Sequence, residues 1–393
     1  MEFAGKHILV VIENLPAPFD RRVWQEATTL KENGAKVSII CPKMKGYDKS
    51  YEKIDDIEIY RHPLREGKGA LGYLVEYSQA IFWEFFLSFK IFFKNRFDVI
   101  HGCNPPDLIF LTAIVFKLFG VKYVFDHHDI NPELYISKFE KKGFFYKMML
   151  LFEELTFKVA DFSIATNESY KKIAIERGGM DQNKVQVVRS GPKLDRLKLQ
   201  APIEKLKKGK KFLIGYIGVI GEQEGLDLLL ESAKYILTKR DDIHYGIVGG
   251  GTHLNEIKSL CEKMELSNHF DFYGRVDDQT MIDVLNTADV CVNPDKPTAM
   301  NDLSTMNKIM EYMALKKPIV QYTLKEGQFS SKEASLYAKN TDPIDFAEKI
   351  LQLLDDEELR DKMSNLGYKR VKNELSWDYE SKKLVDFYKK VLN

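Results

Sequence analysis

The segment "FLIGYIGVIGEQEGLDLLL", residues 212–230, decides the fold. It opens with apolar residues and glycine at successive positions, which is typical of a strand covered on both faces in a parallel sheet. Glycines then surround a turn into a leucine-rich segment, at Gly215, Gly218, Gly221 and Gly225. The segment therefore predicts a strand, a glycine-rich turn and a helix, which together open a βαβ unit.

The same alternation of strands and helices runs along the whole chain. Before this segment, the predicted strands are "HILVVIE", "KVSIICP", "DVIHG", "KYVFDHH" and "FSIAT". After it, they are "IHYGIVGGG", "FDFYGR", "VCVNP" and "PIVQY". Two such series predict an α/β protein with two Rossmann-like, doubly wound domains.

A lysine-rich polar stretch separates the two series. Gly-Pro opens this stretch, so we place a linker near residues 192–210. We expect an N-terminal domain over 1–195 and a C-terminal domain over 207–375. The tail has apolar residues at helical spacing and is predicted to be a helix over 376–393 that packs on the N-terminal domain.

Composition excludes several classes of protein. Lys and Arg number 58 and so do Asp and Glu, so no excess of positive charge favours nucleic acid. The cysteines form no CxxC pair, which predicts neither a zinc knuckle nor a disulfide framework and fits a reducing cytoplasm. The N-terminus shows no signal-peptide pattern and passes directly into a predicted strand. We expect a cytoplasmic protein.

The most apolar stretch is "AIFWEFFLSFKIFF", residues 80–93. It contains charged residues and falls short of the ~20 apolar residues that a spanning helix needs. We predict a buried helix of the first domain. The alternative is a helix that lies on the inner face of the membrane, with its aromatic residues against the bilayer.

Ligands of open α/β sheets bind beyond the carboxyl ends of the strands. After the first strand, Asp20 is predicted to cap a helix, and Arg21 and Arg22 beside that helix suit an anion or a sugar hydroxyl. The alternative is a capped helix with solvated arginines. After the strand "KYV", His127 and His128 stand among carboxylates, which favours a functional role. A metal site is disfavoured, since no third histidine or suitably spaced cysteine is evident.

The segment "NDLSTMNKIMEYMALKKPIVQY", residues 301–322, predicts a helix with Ser304 as its N-cap. Helical steps of four and three place Ser304, Lys308 and Glu311 on one face. A lysine near a helix N-terminus is best explained by an anion that binds there. Glu311 suits the vicinal diol of a ribose. The alternative is a Lys308–Glu311 pair on a solvated surface.

Dinucleotide and P-loop motifs are absent from the sequence. Counted from Gly249, the third glycine of GxGxxG falls on Leu254, and no GxxxxGK[ST] occurs. The turn at Gly218 and Gly221 still lets a backbone approach a phosphate.

These segments together resemble a known family. "YIGVIGEQEGLDLLLESA", "YGIVGGG", "FYGRVDDQTMIDVLNTADVCVNP" and "NKIMEYMALKKPIV" occur in the order seen in retaining glycosyltransferases of family 4. "PFDRRVWQEA" and "DLSTMNKIMEYMA" resemble a bacterial branch associated with cell-surface polysaccharides. The resemblance implies the GT-B fold, with two Rossmann-like domains facing a central cleft and a C-terminal helix that crosses back to the first domain.

The resemblance also implies the reaction. A hexosyl group would pass, with retention, from a nucleotide-diphosphate sugar on the C-terminal domain to a saccharide or polyprenyl-linked acceptor. Neither a metal nor a cofactor is expected. By position, Glu311 would bind the ribose and His128 would lie near the reacting sugar. The remaining donor-binding positions would be Gly218, Gly221, Gly274, Arg275, Val276 and Ser304.

The sequence departs from the family pattern at two places. Val219 and Glu224 stand where the family often has basic residues, and Leu303 stands where its first acid is expected, with Asp302 one position away. Lys308 would then offset the missing positive charge. The predicted catalytic residues are His128, Lys308 and Asp302, and the predicted acceptor-side residues are Asp20, Arg21, Arg22 and His127.

Two other functions stay open at this point. One is a non-catalytic subunit that binds nucleotide sugars, suggested by Val219 and Glu224. The other is a GT-B sugar-nucleotide epimerase.

Overall fold

The computed structural model describes residues 2–64 and 69–393, except for the side chains of residues 69–74 and 138. The chain forms two compact units. The first comprises Met1–Ser190 and Glu380–Asn393, and the second comprises Gly191–Tyr379. Each has a sheet of mainly parallel strands covered by helices, which confirms the predicted α/β class.

In the described residues, the first unit contains an eight-stranded sheet in the order β3-β4-β2-β1-β5-β6-β7-β8. Its strands are β1 His7–Ile12, β2 Lys36–Pro42, β3 Tyr51–Ile54, β4 Ile57–His62, β5 Val99–Cys103, β6 Lys122–His127, β7 Phe162–Ala165 and β8 Val185–Val187. Strands β3 and β4 pair antiparallel, and the other neighbouring pairs are parallel. The strand order reverses between β1 and β5, and such a switch point is where open sheets bind ligands.

The second unit contains a six-stranded parallel sheet in the order β11-β10-β9-β12-β13-β14 within the described residues. Its strands are β9 Phe212–Ile217, β10 Ile243–Val248, β11 Phe270–Gly274, β12 Val290–Asn293, β13 Ile319–Tyr322 and β14 Ser335–Ala338. Every residue of β9 is buried, as its unbroken apolar run predicts. The switch point of this sheet lies between β9 and β12.

The helices cover both sheets. In the first unit they are α1 Arg21–Glu32, α2 Gly69–Lys94, α3 Phe110–Lys117, α4 Asn131–Phe139, α5 Phe144–Val159 and α6 Glu168–Glu176. In the second they are α7 Leu226–Leu237, α8 Leu254–Lys263, α9 Asp278–Thr287, α10 Ala299–Leu303, α11 Asn307–Ala314, α12 Lys325–Ser331, α13 Pro343–Asp355 and α14 Glu357–Arg370. The last helix, α15 Trp377–Leu392, begins in the second unit and continues in the first.

No helix among the described residues has both the length and the apolar character needed to cross a membrane.

Each strand predicted above is present, but two other predictions need correction. Residues 192–210 are not a free linker: they belong to the second unit, where Leu197 is buried in the core and Leu194 and Leu206 pack on it. Helix α2 is only partly buried. Its Ile91 and Phe92 lie in the core, whereas several of its other phenylalanines face solvent.

The packing of β9 generates a stability prediction. A Cβ added at Gly215 would lie 2.9 Å from the Cβ of Ala288. Gly215→Ala should therefore lower the free energy of unfolding by about 1–3 kcal/mol in urea denaturation, since neither atom can rotate away. Gly143→Ala is the control, because its added Cβ meets nothing within 4 Å. Equal stability of the two variants would contradict the tight packing.

Candidate functional site

At the switch point of the first unit, Asp126 is fully buried and is surrounded by positive charge. The Arg22 Nη2 lies 2.8 Å from the Asp126 Oδ1 and 3.0 Å from the Glu26 Oε1. Burial alone would raise the pKa of Asp126, but the charges of Arg22 and His128 hold it well below its usual range. The alternative of solvated arginines is thus wrong for Arg22, which is buried and bound inside the unit.

His128 is the histidine that this network holds at the strand ends. Its Nε2 lies 2.5 Å from the Asp126 Oδ2, and 13% of its side chain is exposed. Burial opposes the charged imidazole, but the Asp126 carboxylate raises the pKa of His128 well above its usual value. The backbone N–H of His128 donates to the Asn104 Oδ1 over 2.6 Å. Asn104 directly follows β5 and was not predicted, although the strand-end rule would have found it.

His127 points the other way, into the core. Its ring stacks on Phe125 and packs against Phe157 and Tyr170, with centroids 5.0–5.3 Å apart. Burial lowers the pKa of His127 to about 3, and the charge of Arg177 adds to this effect. The predicted acceptor-side role of His127 therefore conflicts with its position. Adjacent residues of a strand point to opposite faces, so only one of the two histidines can reach the site.

The remaining acceptor-side residues lie at the start of α1. Asp20 caps the helix as predicted, because its carboxylate accepts the Val23 N–H over 3.0 Å. Arg21 is exposed on the first turn. Contact of these residues with an acceptor stays a prediction.

Two clusters of possible metal-ligating side chains occur around Asp126 in the described residues. One joins His101, Cys103 and Asp126, and the other joins Glu26, Asp126 and His128. The Arg22 guanidinium lies against both Glu26 and Asp126 and supplies the charge that a cation would bring. The donor set therefore fits a guanidinium and an imidazolium better than a metal ion.

In the second unit, turns after neighbouring strands interlock. The Gly218 N–H donates to the Val248 carbonyl and the Ile220 N–H donates to the Gly250 carbonyl. Gly249 has φ +141°, and a Cβ there would lie 1.8 Å from the Gly218 carbonyl oxygen. Only glycine fits such close backbone contact. Within the described parts of the chain, the Val219 N–H has no hydrogen-bond acceptor, so it is this group of the turn, not that of Gly218, that can meet a phosphate.

Lys308 lies beside this turn. Its Nζ would be 3.6 Å from a Cβ at Gly218, and it makes a 2.7 Å ion pair with Asp295, which follows β12. The Nζ also lies 4.9 Å from the centre of the Tyr216 ring. Burial raises the pKa of Asp295, against the pull of Lys308. A lysine and an acid are thus buried together at the β9–β12 switch point.

Glu224 binds the backbone of the Gly218 turn. Its Oε2 accepts the Gly221 N–H over 3.0 Å. Burial raises the pKa of Glu224, although the charge of Lys308 works in the opposite direction. Glu224 therefore adds an acidic group near Lys308 where the family pattern expects a cation.

Helix α11 starts later than predicted. It begins at Asn307 with Met306 as N-cap, and Ser304 instead ends α10 in an extended conformation. The Glu311 carboxylate makes an ion pair with Arg196 and Lys308 pairs with Asp295, so the alternative of a Lys308–Glu311 pair on a solvated surface is wrong. Arg196, which also lies 3.3 Å from Asp278, was not predicted because nothing in its local sequence marks it.

The other predicted positions are placed as follows. The Asp302 Oδ1 accepts the Lys325 N–H over 2.8 Å, so this carboxylate is hydrogen-bonded to the N-terminus of α12. Leu303 is half-buried and supplies no acid. The Gly274 carbonyl accepts the Gly249 N–H, and the Arg275 side chain packs over Gly250. Gly274, Arg275 and Val276 thus adjoin the interlocked turns.

Solved structures share this architecture. Sucrose-phosphate synthase from Thermosynechococcus elongatus aligns with a TM-score of 0.81 at 16% identity, over 98% of this chain and 99% of that chain. Anabaena HepE, in complex with UDP and glucose, aligns with a TM-score of 0.72 at 12% identity, over 98% of this chain and 100% of that chain. The fold is therefore that of the GT-B glycosyltransferases.

The chain also matches two sequence families. The family described as "Glycosyltransferase Family 4" matches residues 20–196, and "Glycosyl transferases group 1" matches residues 198–370. The chain belongs to the glycosyltransferases of family 4. The capsular polysaccharide biosynthesis glycosyltransferase CapM of Staphylococcus aureus is 28% identical over 247 residues, which are 60% of this chain and 63% of that relative.

The two adjacent histidines should titrate very differently. At about pH 7.5 we expect His128 to be protonated, since it contacts the Asp126 carboxylate, and His127 to be neutral, since burial and the charge of Arg177 lower its pKa. The stability that His128 contributes is complete below about pH 6.5 and is lost as the pH rises through its higher folded-state pKa. Long-range ¹H–¹⁵N spectra of the imidazoles measure both charge states. Two pKa values near that of free histidine would contradict the network.

Proposed function

We propose that this chain transfers a hexosyl group, with retention, from a nucleotide-diphosphate sugar to a saccharide or polyprenyl-linked acceptor. The reaction would serve cell-surface polysaccharide synthesis at the inner face of the membrane. The name of CapM and the UDP and glucose bound in HepE support this choice of pathway and donor.

The observation that carries the proposal is the position of Lys308. This lysine is buried beside the Gly218 turn at the β9–β12 switch point, where the Val219 N–H is also available. An ammonium and a backbone N–H together suit a diphosphate. Glu311 lies about one helical turn further along α11, and its carboxylate would exchange Arg196 for the ribose hydroxyls.

The proposed reaction needs no protein nucleophile. The acceptor hydroxyl attacks the anomeric carbon on the face from which the diphosphate departs. The bond between that carbon and the phosphate oxygen breaks, and the leaving diphosphate takes the electron pair and then the hydroxyl proton. The main catalytic demand is stabilisation of the charge on the leaving phosphate. Lys308 would meet it without a metal, and His128 would orient the sugar.

A panel of UDP- and GDP-sugars tests the function, with binding measured by thermal shift and transfer measured on saccharide acceptors. We expect one donor to raise the melting temperature and to be consumed only when an acceptor is present. Donor binding without turnover would identify the non-catalytic subunit that Val219 and Glu224 suggest. Isomerised donor in the absence of acceptor would identify an epimerase.

Glu311→Ala should weaken donor binding about tenfold to a hundredfold, because a carboxylate that accepts hydrogen bonds is lost. Arg196→Met is the matched control. It removes the group that pairs with Glu311, so donor affinity should stay the same or rise. Calorimetric titration of the donor measures both variants. Unchanged affinity in Glu311→Ala would contradict the ribose assignment.

Lys308→Met should lower turnover by about a hundredfold or more while donor affinity changes much less, since the charge to be stabilised develops in the transition state. The double variant Lys308→Met/Asp295→Asn avoids a buried unpaired carboxylate and separates this effect from misfolding. Kinetics and titration on both variants provide the measurement. Equal losses in turnover and affinity would show that Lys308 only binds the donor.

A further inference from the structure

Helix α2 exposes apolar side chains and buries polar ones. Phe82, Phe86 and Phe93 are 63%, 53% and 81% exposed, whereas Glu84 and Ser88 are fully buried. A helix between a protein core and water normally has the opposite arrangement. The outer side of α2 therefore suits an apolar surrounding better than water.

The apolar surface extends over the neighbouring helices of the same unit. Helix α3 packs against both α2 and α5. Aromatic side chains of α2 and α3 are in contact, since the ring centroids of Phe89 and Phe116 lie 4.7 Å apart. Large apolar side chains are exposed on each helix or directly after it. We call this surface the α2–α3–α5 face and define it by Phe82, Phe86, Phe93, Ile114, Leu118 and Phe144.

Basic residues border this face at two places. Lys90, Lys94 and Arg96 stand at the end of α2, where Lys94 pairs with Glu58 and Arg96 donates to the Phe119 carbonyl.

At the start of α5, Lys141, Lys142 and Lys147 are exposed and, within the described residues, make no ion pair. One acid, Glu140, precedes them. The border at α5 therefore carries an excess of uncompensated positive charge.

We propose that the α2–α3–α5 face docks on a bilayer that contains anionic phospholipids. Its phenylalanines would enter the boundary between headgroups and acyl chains, and the bordering lysines would meet the phosphates. A second copy of the chain fits less well, because a symmetric contact would bring like-charged borders together. The proposal goes beyond glycosyl transfer and does not depend on which donor the second unit binds.

Cosedimentation of the full chain with vesicles tests the docking. We expect binding to vesicles of phosphatidylcholine with phosphatidylglycerol, and much weaker binding to phosphatidylcholine alone. Lys141→Gln/Lys142→Gln/Lys147→Gln should weaken binding by about a hundredfold. Phe82→Ser/Phe86→Ser/Phe93→Ser should weaken it by more than about tenfold on both vesicles. Both sets lie on the surface, so their melting temperatures should match the unchanged chain.

Matched variants of the second unit provide the controls. Lys362→Gln/Lys369→Gln/Lys372→Gln removes the same charge there, and Ile344→Ser/Leu366→Ser removes two exposed apolar side chains; both should leave vesicle binding unchanged. Equal binding to the two vesicle types, or equal effects of the variants and their controls, would overturn the proposal. So would a dimer in solution that the phenylalanine variant separates, since the face would then be a contact between copies.

Discussion

The buried ion pair between Lys308 and Asp295 is the interaction on which the second unit's site depends. A lysine left alone inside a protein would lose its charge or unfold the structure around it. Asp295, which lies after β12, prevents both the loss of charge and the unfolding, because it pairs with Lys308 of α11. This pair lies beside the turn after β9. The pair thus holds the Lys308 side chain beside the Gly218 turn, where the proposed diphosphate would bind.

In the first unit the buried charge that must be compensated is negative. Asp126 is the buried charge there, and Arg22 and His128 compensate it. In both units the compensating groups meet the buried carboxylate at the carboxyl ends of strands, and in the first unit Arg22 comes from a helix far from Asp126 in sequence. Parallel topology therefore explains why these charged groups meet at one edge of each sheet.

Much of the fold and part of the candidate site could be predicted from the sequence. Unbroken apolar runs predicted the buried strands, and the glycines after β9 predicted a tight turn. Only the structure shows that this turn contacts Gly249. Asn104 directly follows β5 and Asp295 stands two residues after β12, so the strand-end rule would have found both. Arg196 could not be found in this way, because its partner Glu311 is distant in sequence. The prediction missed the helix start at Asn307 because serine is a common N-cap residue. In the structure, Ser304 is instead the C-cap of α10.

The structure of a complex with a nucleoside diphosphate tests the central claim most directly. The account predicts the diphosphate against the Lys308 ammonium and the Val219 N–H, with the ribose hydroxyls on Glu311 in place of Arg196. A diphosphate bound away from the Gly218 turn, with the Lys308–Asp295 pair untouched, would contradict it.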